Sequence, residues 1–153
     1  MSNVLERFRS ISDMSFYVTG QAILHETRSF LMTDDVIPKR ERSIYTYPII
    51  NMVQAMNDTA MAANKIYAYT MEDMIRRKQM FQASLDYIDP IYLRIQSAMN
   101  DLWKDVLCCP AGDSRFAKRA RLEAHIGTIG GLLIDEEALL RGCKNKTKLL
   151  HRK

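Results

Sequence analysis

Apolar residues recur at every seventh position between Met74 and Val106, along two interleaved tracks. Because the tracks are separated alternately by three and four residues, both fall on one face of an α-helix. The register holds for about nine turns, so the pattern predicts one long helix with a single buried stripe. The predicted stripe contains Met74, Phe81, Leu85, Ile88, Tyr92, Ile95, Met99, Leu102 and Val106.

Three further segments, residues 12 to 32, 38 to 69 and 115 to 141, also place apolar residues at helical spacing. Ser12 or Asp13 is the candidate N-cap of the first segment. No segment shows the strict alternation of a β-strand. Because short connections favour antiparallel neighbours, the sequence predicts an all-α fold, an antiparallel up-down-up-down four-helix bundle.

The stripes of the first two helices follow from the same spacing. The first helix is predicted to bury Phe16, Tyr17, Gly20, Ile23, Leu24, Thr27, Phe30 and Leu31. The second is predicted to bury Tyr45, Pro48, Met52, Ala55, Thr59, Ala62, Ile66 and Tyr69. The many alanines of the second helix indicate a close neighbour.

Prolines and glycines interrupt these helices at identifiable places. Pro48 is compatible with a first-turn position, whereas Pro90 predicts a kink in a continuous helix, because the apolar register continues on both sides of it. Gly127, Gly130 and Gly131 each weaken a helix by up to about 1 kcal/mol relative to alanine. This stretch therefore predicts a tight helix crossing.

Composition narrows the class of protein. A chain of 153 residues with 47% hydrophobic residues fits one domain with one core. No apolar stretch is long enough to span a membrane, and the first ten residues are charged, unlike a signal peptide. We therefore expect a cytoplasmic protein with no membrane partner, and its three cysteines are expected to be reduced.

The sequence contains few residue patterns that are typical of an enzyme active site or a cofactor site. None of the three histidines stands in a Glu-x-x-His motif, and Cys108 and Cys109 lack CxxC spacing. We therefore expect no catalytic residues, no metal and no cofactor. Six tyrosines are interpreted as core or interface residues, with base stacking as the alternative: Tyr45, Tyr47, Tyr67, Tyr69, Tyr87 and Tyr92.

Positive charge is concentrated at the end of the chain. The formal charge is −2 over residues 1 to 140 and +6 over residues 141 to 153. The sequence therefore predicts a bundle domain over residues 1 to 141 and a basic, disordered tail over residues 142 to 153. Within that tail Lys144, Lys146 and Lys148 are candidate phosphate contacts, with solubility as the alternative role.

Further cations lie near the predicted starts of three helices. They are Lys39, Arg40 and Arg42; Arg76, Arg77 and Lys78; and Arg115, Lys118, Arg119 and Arg121. A cation at a helix N-terminus faces the positive end of the helix dipole, which lowers the stability of the helix by roughly 0.3 to 1 kcal/mol for each cation. Stability alone therefore does not favour cations at these positions. In an antiparallel bundle the second and fourth helices start at the same end, which predicts one phosphate-attracting patch. The alternative is neutralisation by Glu41 and Asp113.

The order of several short motifs resembles a known family. They are the run from Ile37 to Arg42, the alanine-rich helix ending Ala63-Asn64-Lys65-Ile66-Tyr67-Ala68-Tyr69, Arg77 with the stripe from Phe81 to Leu102, and the segment from Glu123 to Gly131. This arrangement resembles the accessory variability protein of diversity-generating retroelements and the related four-helix proteins encoded in ribosomal RNA intervening sequences.

The resemblance implies a four-helix protomer that assembles into a homopentameric barrel with a basic surface. It also implies two partners, the element's reverse transcriptase and its template RNA or RNA/DNA hybrid, and no catalysis by the protein itself. Apolar residues outside the main stripes, such as Met56, Ala63, Met80 and Trp103, are predicted to bury area between subunits. The alternatives are an adaptor that binds protein only and, less favoured, a bundle enzyme or metal carrier.

Overall fold

The computed structural model describes residues 14 to 150, and within them the regular structure is helical. No strand occurs in that part of the chain, which confirms the all-α prediction. The candidate N-caps Ser12 and Asp13 lie outside the described residues. The helices are α1 (Ser15–Leu31), α2 (Thr46–Asn64), α3 (Met71–Leu85), α4 (Ile88–Leu107) and α5 (Phe116–Lys146), with a short 3-10 turn at Lys39–Glu41.

The helices pack around one hydrophobic core. Helix α2 lies against α1 and along both α3 and α4, and α5 contacts α1, α3 and α4. The most deeply buried large side chains are Ile23, Leu31, Ile37, Ile49, Met56, Phe81, Ile91, Ile95, Met99, Ile129, Leu133 and Leu140. No helix among residues 14 to 150 combines the length and the apolar character that a membrane span requires.

The long stripe and the stripe of α1 are confirmed. Of the nine positions predicted between Met74 and Val106, six are buried and Met74, Tyr92 and Leu102 are half-buried. On α1, Tyr17 and Leu24 are half-buried, and the other predicted positions are buried. Strong amphipathic spacing was therefore sufficient to identify these two faces.

The prolines both occupy the third position of a helix. Pro48 lies there in α2 and Pro90 in α4, where a first-turn residue has no intrahelical N–H partner to lose. The predicted continuous helix is divided into α3 and α4, yet the linking residues Asp86 and Tyr87 keep right-handed helical dihedral angles. The division is therefore local, and the buried stripe continues across it.

The start and the buried face of α2 differ from the prediction. The helix begins at Thr46 rather than near Pro38, because Pro38 leads into the 3-10 turn instead. The stripe is displaced by one residue, since apolar side chains occur on several faces of this helix and define no unique stripe. The buried residues are Thr46, Ile49, Val53, Met56, Ala60 and Ala63. Met56 and Ala63 are thus core residues, and their predicted role between subunits was wrong.

Helix α5 also differs in its end and in its glycines. It continues to Lys146, beyond residue 141, the predicted end of the bundle domain, and the Leu150 N–H donates to the Ala68 carbonyl at 2.8 Å. A Cβ atom on Gly130 would lie 3.2 Å from the Tyr92 ring. The other two predicted crossing residues, Gly127 and Gly131, have no such neighbour within 4 Å. The predicted tight crossing is therefore confined to Gly130.

Candidate nucleic-acid interface

The structure brings together the two cation groups predicted to form one patch. The connection between α1 and α2 meets the start of α5: the Lys118 Nζ atom is 3.2 Å from Asp35 Oδ1, and Arg121 is 3.5 Å from the other oxygen of that carboxylate. We call this region the loop end. Its cations are Lys39, Arg40, Arg42, Arg115, Lys118, Arg119 and Arg121.

Carboxylates neutralise most of the loop end. Within residues 14 to 150, six of its seven cations have a carboxylate oxygen within 4 Å. The pairs are Arg40–Glu41, Arg42–Asp34, Arg115–Asp113, Lys118–Asp35, Arg119–Glu123 and Arg121–Asp35. Hydrogen bonds from Arg115 lower the pKa of Asp113 to about 2. The loop end is therefore a surface of paired charges, in which Glu41 and Asp113, the acids of the alternative interpretation, account for two of the six pairs.

Arg42 has a structural role at this end. Its side chain is 8% exposed, and its guanidinium donates to the carbonyls of Met32 and Ile37 and to Asp34 Oδ1. The Met32 carbonyl has no further turn of α1 to bond it, so Arg42 satisfies an acceptor at the helix end. This geometry leaves little of Arg42 for a ligand.

A second concentration of cations lies at the opposite end of α2 and α5, and we call it the tail end. Arg77 on α3 links the end of α2 to Thr147, immediately after α5. The Lys144 Nζ atom lies 2.7 Å from Gln82 Oε1, which joins α5 to α3 at the same end. The tail-end cations are Lys65, Arg76, Arg77, Lys78, Lys144, Lys146 and Lys148.

Arg77 is the structural centre of the tail end. Its guanidinium donates to the carbonyls of Ala63, Asn64 and Ile66 over 3.0 to 3.3 Å, and to Thr147 Oγ1 at 3.2 Å. Burial lowers the pKa of this guanidinium. Because the bonded carbonyls lie at the end of α2, Arg77 caps that helix through tertiary contacts.

Among the described residues, the remaining tail-end cations have no carboxylate partner. No ion pair there involves any of the seven tail-end cations, and the nearest acids in sequence are Glu72 and Asp73 for the cations of α3 and Glu137 for those at the end of α5. Lys65, Arg76, Lys146 and Lys148 are exposed. Positive potential is therefore stronger here than at the loop end.

The helix dipole explains part of this arrangement. Lys144 and Lys146 lie in the last turn of α5, where a cation contributes roughly 0.3 to 1 kcal/mol of stability. Lys148, two residues beyond Lys146, lies at the same negative end of the dipole. Arg76 and Lys78 lie in the second turn of α3, where the dipole gives no comparable reason for them. Sequence analysis missed Lys65, whose signal was its position directly after the alanine-rich helix.

A search for metal-binding groups and comparisons with known proteins give no further evidence about function. Within residues 14 to 150, no three His, Cys, Asp or Glu side chains form a group able to hold a metal ion. Comparison with protein-family models, with curated proteins and with solved structures gives no match for this chain. The functional inference therefore depends on the two charged ends and on the sequence resemblance.

Proposed function

We propose that this protein is a non-catalytic accessory protein of a retroelement, which binds the reverse transcriptase and its template RNA or RNA/DNA hybrid in the cytoplasm. Its role is to hold the template near the polymerase during mutagenic copying. The nucleic-acid part is supported by one observation, the exposed tail-end cations, which have no carboxylate partner within residues 14 to 150. The polymerase part is supported by the family resemblance.

The proposed mechanism is electrostatic. Lysine and arginine release counterions from the phosphate backbone, which gives affinity without reading sequence and makes that affinity fall steeply with salt. Cations already paired with carboxylates release fewer counterions, because their charge is compensated before the nucleic acid arrives. We therefore assign phosphate binding to the tail end rather than to the loop end.

Two variants of equal net charge distinguish phosphate binding at the tail end from phosphate binding at the loop end. The tail-end variant carries Arg76→Gln, Lys146→Gln and Lys148→Gln. We expect it to bind a structured RNA roughly tenfold more weakly at low salt, with a salt slope smaller by about 3 in magnitude. The measurement is fluorescence anisotropy over a salt series.

The matched control is the loop-end variant Arg40→Gln, Arg115→Gln and Arg121→Gln, which removes the same net charge from exposed side chains that each have a carboxylate partner. We expect its affinity and salt slope to stay close to those of the wild type. Equal losses in both variants would contradict the assignment to one end, and no binding by the wild type at low salt would reject nucleic-acid binding altogether.

A protein-only adaptor is the second candidate, and the paired charges of the loop end favour it. Mixed, compensated charges are typical of the polar rim of a protein interface. Co-purification with the polymerase separates the two functions: the adaptor retains the polymerase after nuclease treatment and binds no RNA, whereas the accessory protein also binds RNA on its own.

We further propose an antiparallel up-down-up-down bundle that assembles into a homopentamer. The ring of contacts from α1 to α2, to α3 and α4, to α5 and back to α1 supports the topology. An exposed face of α5, bordered by the Glu137–Arg141 ion pair, supports the assembly, because Ile134 is 69% exposed and three of its neighbours on that face are small. These neighbours are Gly127, Gly131 and Ala138.

Light scattering tests the assembly. The wild type should have a mass about five times the 17.7 kDa of one chain, and Ile134→Lys should reduce that mass by placing a charge in the interface. Leu93→Lys is the control, since Leu93 is similarly exposed but lies on α4. A wild-type mass of a single chain would exclude the pentamer.

A further inference from the structure

The turn between α2 and α3 presents two aromatic rings at the tail end. Tyr67 is 68% exposed and Tyr69 is 46% exposed. Their ring centroids are 6.3 Å apart with planes inclined by 28°, and the Tyr69 N–H donates to the Tyr67 carbonyl at 2.9 Å. This tight turn places both rings on one side of the connection.

The turn is held against the end of the chain. Ala68, between the two tyrosines, is buried, and its carbonyl accepts the Leu150 N–H at 2.8 Å. Arg77 bonds both Ile66 in the turn and Thr147 after α5. The tyrosine turn and the lysines near the chain end are therefore fixed relative to each other before any ligand binds.

A cavity of about 380 Å³ opens between the turn and the chain end. Its lining includes Asn64, Tyr67, Arg77, Lys146 and Lys148. This volume lies in the range of pockets that bind small ligands. An aromatic face beside unpaired lysines is the combination by which proteins bind single-stranded nucleic acid, with bases on the rings and phosphates on the cations.

We propose that this cavity is a binding site for single-stranded nucleic acid, in which a base stacks on Tyr67 while Lys146 and Lys148 contact the adjoining phosphates. The proposal depends on the proposed function and adds to it a preference for unpaired strands. Tyr67 contributes little to the core at its exposure, and within the described residues its one ring contact is with Tyr69. A duplex keeps its bases stacked inside and gains only the phosphate contacts.

The test compares a short oligouridine with an RNA duplex of equal phosphate number, by anisotropy at constant salt. Tyr67→Ala should weaken oligouridine binding by about tenfold and leave duplex binding and the salt slope unchanged. Tyr67→Phe should restore the affinity, because stacking needs the ring and not the hydroxyl. Tyr47→Ala is the control, since Tyr47 is similarly exposed at the start of α2.

Lys146→Gln with Lys148→Gln should weaken both probes and reduce the salt slope. If Tyr67→Ala bound oligouridine as tightly as the wild type, this site would be overturned. The proposed function would still stand, provided that the lysine variant lost binding. Equal loss of oligouridine and duplex in Tyr67→Ala would also overturn it. If the wild type bound neither the oligouridine nor the duplex, both proposals would be rejected.

Discussion

Replacing Glu136 by glutamine is expected to stabilise the protein by about 3 kcal/mol at pH 7. Glu136 is 1% exposed on α5, and within the described residues neither carboxylate oxygen has a hydrogen-bond partner. Burial raises its pKa to about 8, from an ordinary value of 4.5. The native state therefore holds a proton at pH 7 that the unfolded chain has released, and a neutral amide of the same shape removes that cost.

The pH dependence has a definite sign. Because the folded pKa is higher than the unfolded one, the folded state binds more protons between about pH 4.5 and about pH 8, and stability falls as pH rises through that window. Relative to Glu136→Gln, the wild type should lose about 1.4 kcal/mol for each pH unit. Urea unfolding at several pH values measures this difference.

The control for Glu136→Gln is the same substitution at the neighbouring residue Glu137. Glu137 pairs with Arg141 on the surface of the same helix, so Glu137→Gln should leave the pH dependence in this window unchanged. The Glu136 carboxyl group packs close to Gly20 and Asn57: a Cβ atom on Gly20 would lie 3.1 Å from Glu136 Oε2 and 2.3 Å from Asn57 Oδ1. Parallel pH profiles of wild type and Glu136→Gln would show that the carboxyl group is not buried as described.

Arg77→Met is expected to lower the free energy of unfolding by about 2 kcal/mol or more. Methionine replaces the aliphatic stem and can pack on Phe81, whose ring centroid lies 5.1 Å from the guanidinium carbon. It removes this donor from the carbonyls of Ala63, Asn64 and Ile66, of which Ala63 still accepts the Ile66 N–H, and an acceptor left unsatisfied costs about 1 to 3 kcal/mol. Urea or thermal unfolding gives the loss directly.

Arg76→Met is the matched control, because Arg76 is exposed and has no ion pair among the described residues. An exposed substitution of this kind changes stability by less than about 0.5 kcal/mol. Similar stability of the two variants would contradict the capping role of Arg77. That outcome would return Arg77 to the set of cations available to a ligand.

The fold was predictable where the amphipathic pattern was strong. The stripe through Ile95 and the stripe of α1 had a single apolar face, so periodicity identified their buried residues. Helix α2 has methionine, alanine and isoleucine on several faces, and its orientation is decided by its neighbours. Only the structure could therefore distinguish the core residue Met56 from the half-buried Met52.

The sequence predicted which cations lie near the helix ends, but not which of them are paired with carboxylates. Sequence spacing located the cations near the helix ends, whereas the pairing of Lys118 and Arg121 with Asp35 joins residues more than 80 positions apart. The capping roles of Arg42 and Arg77 depend on backbone carbonyls brought near them by tertiary packing. No local pattern reports such contacts, so the prediction favoured the loop end over the tail end.

The most direct test of the account is the salt dependence of RNA binding by the wild-type protein. If the tail-end cations hold the nucleic acid, the logarithm of the association constant falls linearly with the logarithm of salt concentration. The slope is then steep, becomes shallower in the tail-end variant and is retained in the loop-end variant. Binding that does not respond to salt, or a slope that only the loop-end variant reduces, would contradict the claim that unpaired tail-end cations hold the nucleic acid.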